Sequence, residues 1–248
     1  MQFIDTHIHL QDFKTRCATS VVKDALFSGV SKLMCVACVE EDWDKILHLY
    51  QDFPDVVVPV LGIHPWYASS CKDGWETRLD KILEKHPQIL VGECGIDLCK
   101  NTETSTQRDV FEKQIALAKK HNRSIVLHLV KAQAEMEKFW SGLPSKFVVH
   151  SFNGKTEFLK KIIKQGGYVG FNFSILRNRQ KSDILQMMPV DKILLETDGP
   201  YQGPVRNQEV FPSDLSALFV EISHMRGEEQ NVLAQIIFEN SLRFMNVL

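Results

Sequence analysis

Residues 89–130, ILVGECGIDLCKNTETSTQRDVFEKQIALAKKHNRSIVLHLV, carry the pattern that decides the fold. The short apolar run ILVGECGI (89–96) precedes QRDVFEKQIALAKKH (107–121), whose apolar residues recur at helical spacing. A second short apolar run, SIVLHLV (124–130), follows. Strand, helix, strand is a unit that lays its two strands parallel. Both runs are nearly continuous in apolar residues, as strands are when both faces are buried.

The unit repeats in both directions. Strand-like runs occur at FIDTHI (3–8), KLMCVACV (32–39), VVVPVLGIH (56–64), KFVVHSF (146–152), GYVGFNF (167–173) and KILLETD (192–198), which makes eight in all. Helical patterns lie between them at 19–30, 41–53, 77–86, 133–143 and 156–166, with Gly29, Gly142 and Gly166 near C-terminal positions. Residues 213–226 and 228–248 read as two helices that close the outer ring. Eight β/α units in 248 residues predict an α/β protein, a closed (β/α)8 TIM barrel forming a single domain over residues 1–248. No glycine-rich dinucleotide fingerprint favours an open doubly wound sheet.

Composition narrows the function classes. Hydrophobic residues at 44% and charged residues at 24% are ordinary for a globular protein with a real core. A net charge of −2 provides no bulk field for nucleic acid or anionic lipid, so any nucleic-acid contact is expected to be local. No apolar run approaches the roughly 18 residues of a membrane span, and no basic-then-apolar segment opens the chain. Six cysteines in a chain this long do not suggest a disulfide framework, and a reducing, cytoplasmic setting is the expectation. Cys35 and Cys38 have redox-motif spacing but lie inside an apolar run, which reads as buried structural thiols.

Barrel chemistry sits where strands end, and the unusual residues fall there. In FIDTHIHL (3–10), period-two alternation puts His7 and His9 on one face, with Thr6, Ile8 and Leu10 on the other. Later strands carry His64, Glu93, His128, His150 and Asp198 at or near their ends. His48, His86, His121 and His224 lie in helical segments and read as non-functional. Any one buried histidine is adequately explained by a hydrogen bond. Four histidines and two carboxylates at one barrel mouth are costly to bury without a cation. Imidazole with carboxylate suits zinc, manganese, cobalt or iron better than calcium. Six donors exceed what one tetrahedral ion needs, so two ions about 4 Å apart are expected, with a carboxylate such as Glu93 between them. Asp5 shares the strand and is expected to orient His7.

These motifs, taken in order, resemble the TatD-like metal-dependent hydrolases (TatD DNases) among the amidohydrolase-like barrels. FIDTHIHL resembles that family's HxH motif, VLGIHP (60–65) its GxHP, GECGID (92–97) its GExGLD and ETDGPY (196–201) its ETDxP. LHLVKA (127–132) and VVHSFNG (148–154) match its strand-five and strand-six histidine motifs. The resemblance covers essentially the whole chain. It implies two divalent ions (zinc, manganese, magnesium or cobalt), one held by His7, His9, Glu93 and Asp198 and the other by Glu93, His128 and His150. Asp198 and Glu93 become the catalytic carboxylates, and His64 a substrate contact. Departures from the pattern are Val130 where the family has arginine, Leu98-Cys99 after GECGID, and a loose RNxP-like stretch around Arg206-Asn207.

The reaction these residues favour is hydrolysis of DNA or a small phosphodiester, with Asp198 accepting the proton of the attacking water. Lys131, Arg177, Arg179 and Arg206 follow strand ends and could grip phosphates, Lys131 and Arg206 foremost. Two further activities are compatible with the residues: amide or ester hydrolysis, such as deacylation of aminoacyl-tRNA, and metal binding without turnover.

Overall fold

A computed structural model describes residues 1–100, 102–205 and 207–246. Eight strands form one parallel sheet in sequential order: β1 (Phe3–Ile8), β2 (Val30–Val36), β3 (Val57–Leu61), β4 (Leu90–Asp97), β5 (Ile125–Val130), β6 (Phe147–Val149), β7 (Tyr168–Phe171) and β8 (Ile193–Leu195). The main connecting helices are α1 (Ala18–Phe27), α2 (Glu40–Asp52), α3 (Trp75–Lys85), α4 (Thr104–Lys120), α5 (Gln133–Met136), α6 (Thr156–Lys164), α7 (Lys181–Met187) and α8 (Leu215–Arg226). This is the expected (β/α)8 architecture.

Two apolar layers hold it together. The larger lies between the strands and the outer helices and includes Leu33, Trp43, Leu79, Phe111, Leu159 and Phe219. The smaller fills the barrel interior with at least one residue from every strand: Ile4, Met34, Val60, Leu90, Val126, Val148, Tyr168 and Leu194. The final helix, α9 (Gln230–Phe244), departs from the expected outer-ring position. Its last residue, Phe244, and the following Met245 join the interior cluster. Ser124 Oγ, just before β5, donates to the Phe244 carbonyl at 2.6 Å, and Lys146 Nζ, just before β6, donates to the Arg243 carbonyl at 2.6 Å. α9 therefore plugs the N-terminal end of the barrel and leaves the other end free for chemistry.

One other expectation is corrected, and one element was not anticipated. The helix read over 133–143 stops at Met136 and resumes only as a 3-10 turn at Trp140–Gly142. Leu143 precedes Pro144 and is extended (ψ 151°), as a residue before proline prefers. Residues 181–187, where the sequence marks no helical pattern, form α7, a seven-residue helix burying only Ile184 and Leu185, too short for periodicity to reveal. All six cysteines are free, and among the described residues no helix is long and apolar enough to cross a membrane.

Candidate metal centre

The barrel closes where β1 meets the continuation of β8. Thr6 Oγ1 donates to the Leu195 carbonyl (2.9 Å), Asp198 N to the His7 carbonyl (2.9 Å) and His9 N to the Gly199 carbonyl (2.7 Å). This seam brings His7, His9 and Asp198 together from opposite ends of the chain. Asp5 accepts from Thr197 N (2.9 Å), Thr197 Oγ1 (2.6 Å) and the His7 backbone N–H (3.3 Å). It pins the seam rather than the His7 ring. Burial pushes its carboxyl up to about 7, against the pull of those bonds.

A register irregularity between Asp5 and Ile8 explains why Asp5 does not share the His7 role. Ile4 faces the barrel interior and Ile8 the outer layer, so simple alternation breaks between them. β4 is irregular between Val91 and Cys94 as well, and it turns Glu93 inward after the inward-facing Leu90. Bulges of this kind re-aim side chains beside active sites.

Glu93 divides its two oxygens. Oε2 lies 3.3 Å from His7 Nε2 and 3.9 Å from His9 Nε2. Oε1 lies 2.8 Å from His128 Nδ1, 2.6 Å from His150 Nε2 and 3.5 Å from His64 Nε2. On the first side the two histidine Nε2 atoms are 3.3 Å apart, and Asp198 Oδ1 is 3.5 Å from His9 and 3.8 Å from His7. Four donors about 2.1 Å from a tetrahedral zinc would stand about 3.4 Å apart. The five measured separations, 3.3 to 3.9 Å, fit that figure. On the second side His128 Nδ1, His150 Nε2 and Glu93 Oε1 form a tighter triangle, with the histidine nitrogens 3.2 Å apart. The first set fits a divalent ion, and the second offers donors of the same chemistry at hydrogen-bonding separations. Burial pushes the Glu93 carboxyl up, but His150, His64, His7 and the His128 bond outweigh it and hold it well below the usual range.

Outer partners decide which ring nitrogen faces inward. His9 Nδ1 meets the Val36 carbonyl at 3.0 Å and must donate to it, which leaves Nε2 a free lone pair. His128 Nε2 meets Asp97 Oδ2 at 3.1 Å, which leaves Nδ1 for the centre. Asp97 is itself fixed by Trp66 Nε1 (2.6 Å) and Cys99 N (2.7 Å). Burial opposes its ionisation, yet the His128, Trp66 and Cys99 bonds hold the carboxyl down to about 2. His150 Nδ1 lies 3.5 Å from Glu196 Oε1, which also accepts from Ser151 N at 2.5 Å. His64 behaves differently. Its Nδ1 accepts from Trp66 N (3.1 Å), so the proton sits on Nε2, and burial holds its pKa down to about 3 against the pull of Glu93. A neutral ring whose inward nitrogen is protonated cannot ligate, but it can donate a hydrogen bond.

Asp97 and Glu196 were not singled out from sequence, although each lies an even number of residues from an assigned carboxylate, Glu93 or Asp198. Cys38, read as a buried structural thiol, is half-buried with Sγ 3.9 Å from His9 Nδ1, behind the ring rather than at its inward nitrogen. Lys131 and Arg179 line one cavity beside the mouth, whereas Arg177 lines another and binds the Gly203 carbonyl (3.2 Å). Arg206 lies outside the described residues.

Residues 4–246 match the family described as TatD related DNase. The chain belongs to this family. It is 26% identical to the uncharacterized metal-dependent hydrolase YjjV of Escherichia coli, covering 99% of this chain and 98% of YjjV. The YjjV crystal structure superposes with a TM-score of 0.92 at the same coverage of each chain. Identity is likewise 26% to the protein named 3'-5' ssDNA/RNA exonuclease TatD of Erwinia tasmaniensis, over 92% of this chain and 93% of that one. As a TatD-family member the chain is a metal-dependent hydrolase.

Proposed function

We propose that this TatD-family chain hydrolyses phosphodiester bonds of nucleic acid at a two-ion centre, with His7, His9, Glu93 and Asp198 as one ligand set and Glu93, His128 and His150 as the other. The observation that carries this reading is the division of Glu93, one oxygen toward each histidine group. Nuclease names among similar proteins support the bond class. Divalent ions bound there would supply the Lewis acidity that neutralises a phosphoryl group and makes water nucleophilic at neutral pH.

The chain's own groups do the rest. Asp198 has a positive φ (60°) that turns its carboxylate into the mouth, where it can accept the proton of the attacking water. His64, uncharged and protonated at Nε2, donates to a phosphoryl oxygen and orients it. The Asp97 carboxylate holds His128 and, through Trp66, the segment that carries His64. The six free thiols suit a reducing, cytoplasmic setting.

The test is a side-by-side assay of metal-loaded protein on bis-p-nitrophenyl phosphate, single-stranded DNA and acyl esters, with Glu93→Ala and Asp198→Ala alongside. Phosphodiester turnover lost in both variants is expected. Turnover of acyl substrates alone overturns the reading.

A further inference from the structure

Beside the centre, a cavity of about 730 Å³ runs across the ends of β5, β6 and β7. Leu129 and Val130 follow His128 into its wall, and Val149 and Ser151 flank His150, so the cavity adjoins both histidines of the second ligand set. Three cations line it: Lys131 after β5, Lys155 at the start of α6, and Arg179 after β7. All three are exposed, and none has an ion-pair partner among the described residues. No Asp or Glu lines the cavity.

What sets the cavity apart is clustering: three unpaired cations share it with no carboxylate, in a chain of net charge −2 where Arg78, Arg108 and Lys120 meet Glu40, Glu135 and Asp80. Gln133, Asn153 and Gln180 also line it and can donate to an anion, Asn178 Nδ2 being taken by Asn153 Oδ1 and the Gly154 carbonyl, while Leu129, Val130, Val149, Phe152 and Phe158 form an apolar remainder. Lys131 also has a left-handed backbone (φ 54°), a conformation uncommon for a residue with a side chain and concentrated at functional sites.

We infer that this trough holds backbone phosphates of a nucleic-acid strand flanking the scissile linkage, and so makes the enzyme selective for a polymer over a small diester. The inference rests on the phosphodiesterase reading for its occupant, but it can fail separately. A single phosphate at the metal centre would leave three unmatched cations and a cavity of this size without a role. A strand puts successive phosphates within reach of the three cations, and the apolar part of the lining can face sugars and bases without reading sequence.

The test measures binding of a fluorescent ten-nucleotide thymidine strand with phosphorothioate linkages that resist turnover, across a series of salt concentrations. Neutralising a single-strand phosphate contributes about −0.7 to the slope of log K against log salt. The triple variant Lys131→Gln, Lys155→Gln, Arg179→Gln should therefore bind with a slope shallower by about 2, and about 10–100-fold more weakly at physiological salt. The charge-conserving variant Lys131→Arg, Lys155→Arg, Arg179→Lys should keep the wild-type slope. A strand with uncharged methylphosphonate linkages should bind wild type at least as weakly as the normal strand binds the triple variant. An unchanged slope in the triple variant, or equal wild-type affinity for the uncharged strand, overturns the trough. Absence of turnover of any phosphodiester by wild type overturns the hydrolase reading instead and leaves the slope to decide the trough.

Discussion

Asp97→Asn separates the two ligand sets. In the native site two carboxylate oxygens receive three donors: Oδ2 takes Trp66 Nε1 and His128 Nε2, and Oδ1 takes Cys99 N. An asparagine fits the same space but offers one oxygen and one NH2. If its oxygen faces Trp66 and His128, its NH2 opposes the Cys99 N–H, and the loop after β4 shifts. If its NH2 faces His128, the ring must accept at Nε2, and its proton moves to Nδ1, the atom 2.8 Å from Glu93. Either arrangement spoils His128 as a ligand while His7, His9 and Asp198, which do not touch Asp97, keep their geometry.

Loss of such an outer carboxylate costs about 10–100-fold in metal affinity, or about 1.4–2.8 kcal/mol. The measurement is competition between the protein and a chromophoric chelator for zinc or manganese. Wild type should take up two equivalents. In Asp97→Asn the first should bind as before and the second 10–100-fold more weakly, with phosphodiester turnover falling in parallel. The Asp97 carboxyl is held down to about 2, so it is ionised at every working pH and the effect should not depend on pH near neutrality. Two equivalents bound with wild-type affinity would refute the chain from Asp97 through His128 to the second ion.

Three further substitutions test neighbouring assignments. His64→Gln should keep the full metal stoichiometry while kcat falls about 10²–10³-fold, the usual loss for one donor to a developing negative charge; loss of metal would make His64 a ligand. Gly170→Ala places a Cβ 2.1 Å from Glu196 Oε2, at a glycine without a positive φ, so the strain falls on that carboxylate. It should loosen His150 and lower metal affinity about tenfold, as should Glu196→Gln. Wild-type affinity in both would show that Glu196 does not hold His150.

The six proposed ligands were legible because each is a polar side chain within or just after an apolar strand, and barrel strands deliver such residues to one end. The outer carboxylates were legible by the same rule, yet a reading of one polar residue per strand passes over them. Asp97 lies four residues after Glu93 and Glu196 two before Asp198, both on the inward face. Other features carry no local signal. The irregularities in β1 and β4 break the alternation that sequence reading relies on, which is why Asp5, two residues from His7, belongs to the seam instead. The trough gathers Lys131, Lys155 and Arg179 from three separate connections, and each alone reads as an ordinary surface cation.

The seam shows most clearly what a strand list omits. His7 lies in the first strand and Asp198 just beyond the last, and only closure makes them neighbours. The bonds that close the barrel, from Asp198 N to the His7 carbonyl and from His9 N to the Gly199 carbonyl, involve the backbones of the proposed ligand residues themselves. Asp5, gripping Thr197, stiffens the same junction from the other side. Closing the sheet and building the first ligand set are thus one structural event. An ion bound at His7, His9 and Asp198 would bridge the seam and hold the barrel shut. Metal affinity at that position and stability of the closed barrel are therefore linked, because a ligand that binds only the folded state stabilises it in proportion to its binding.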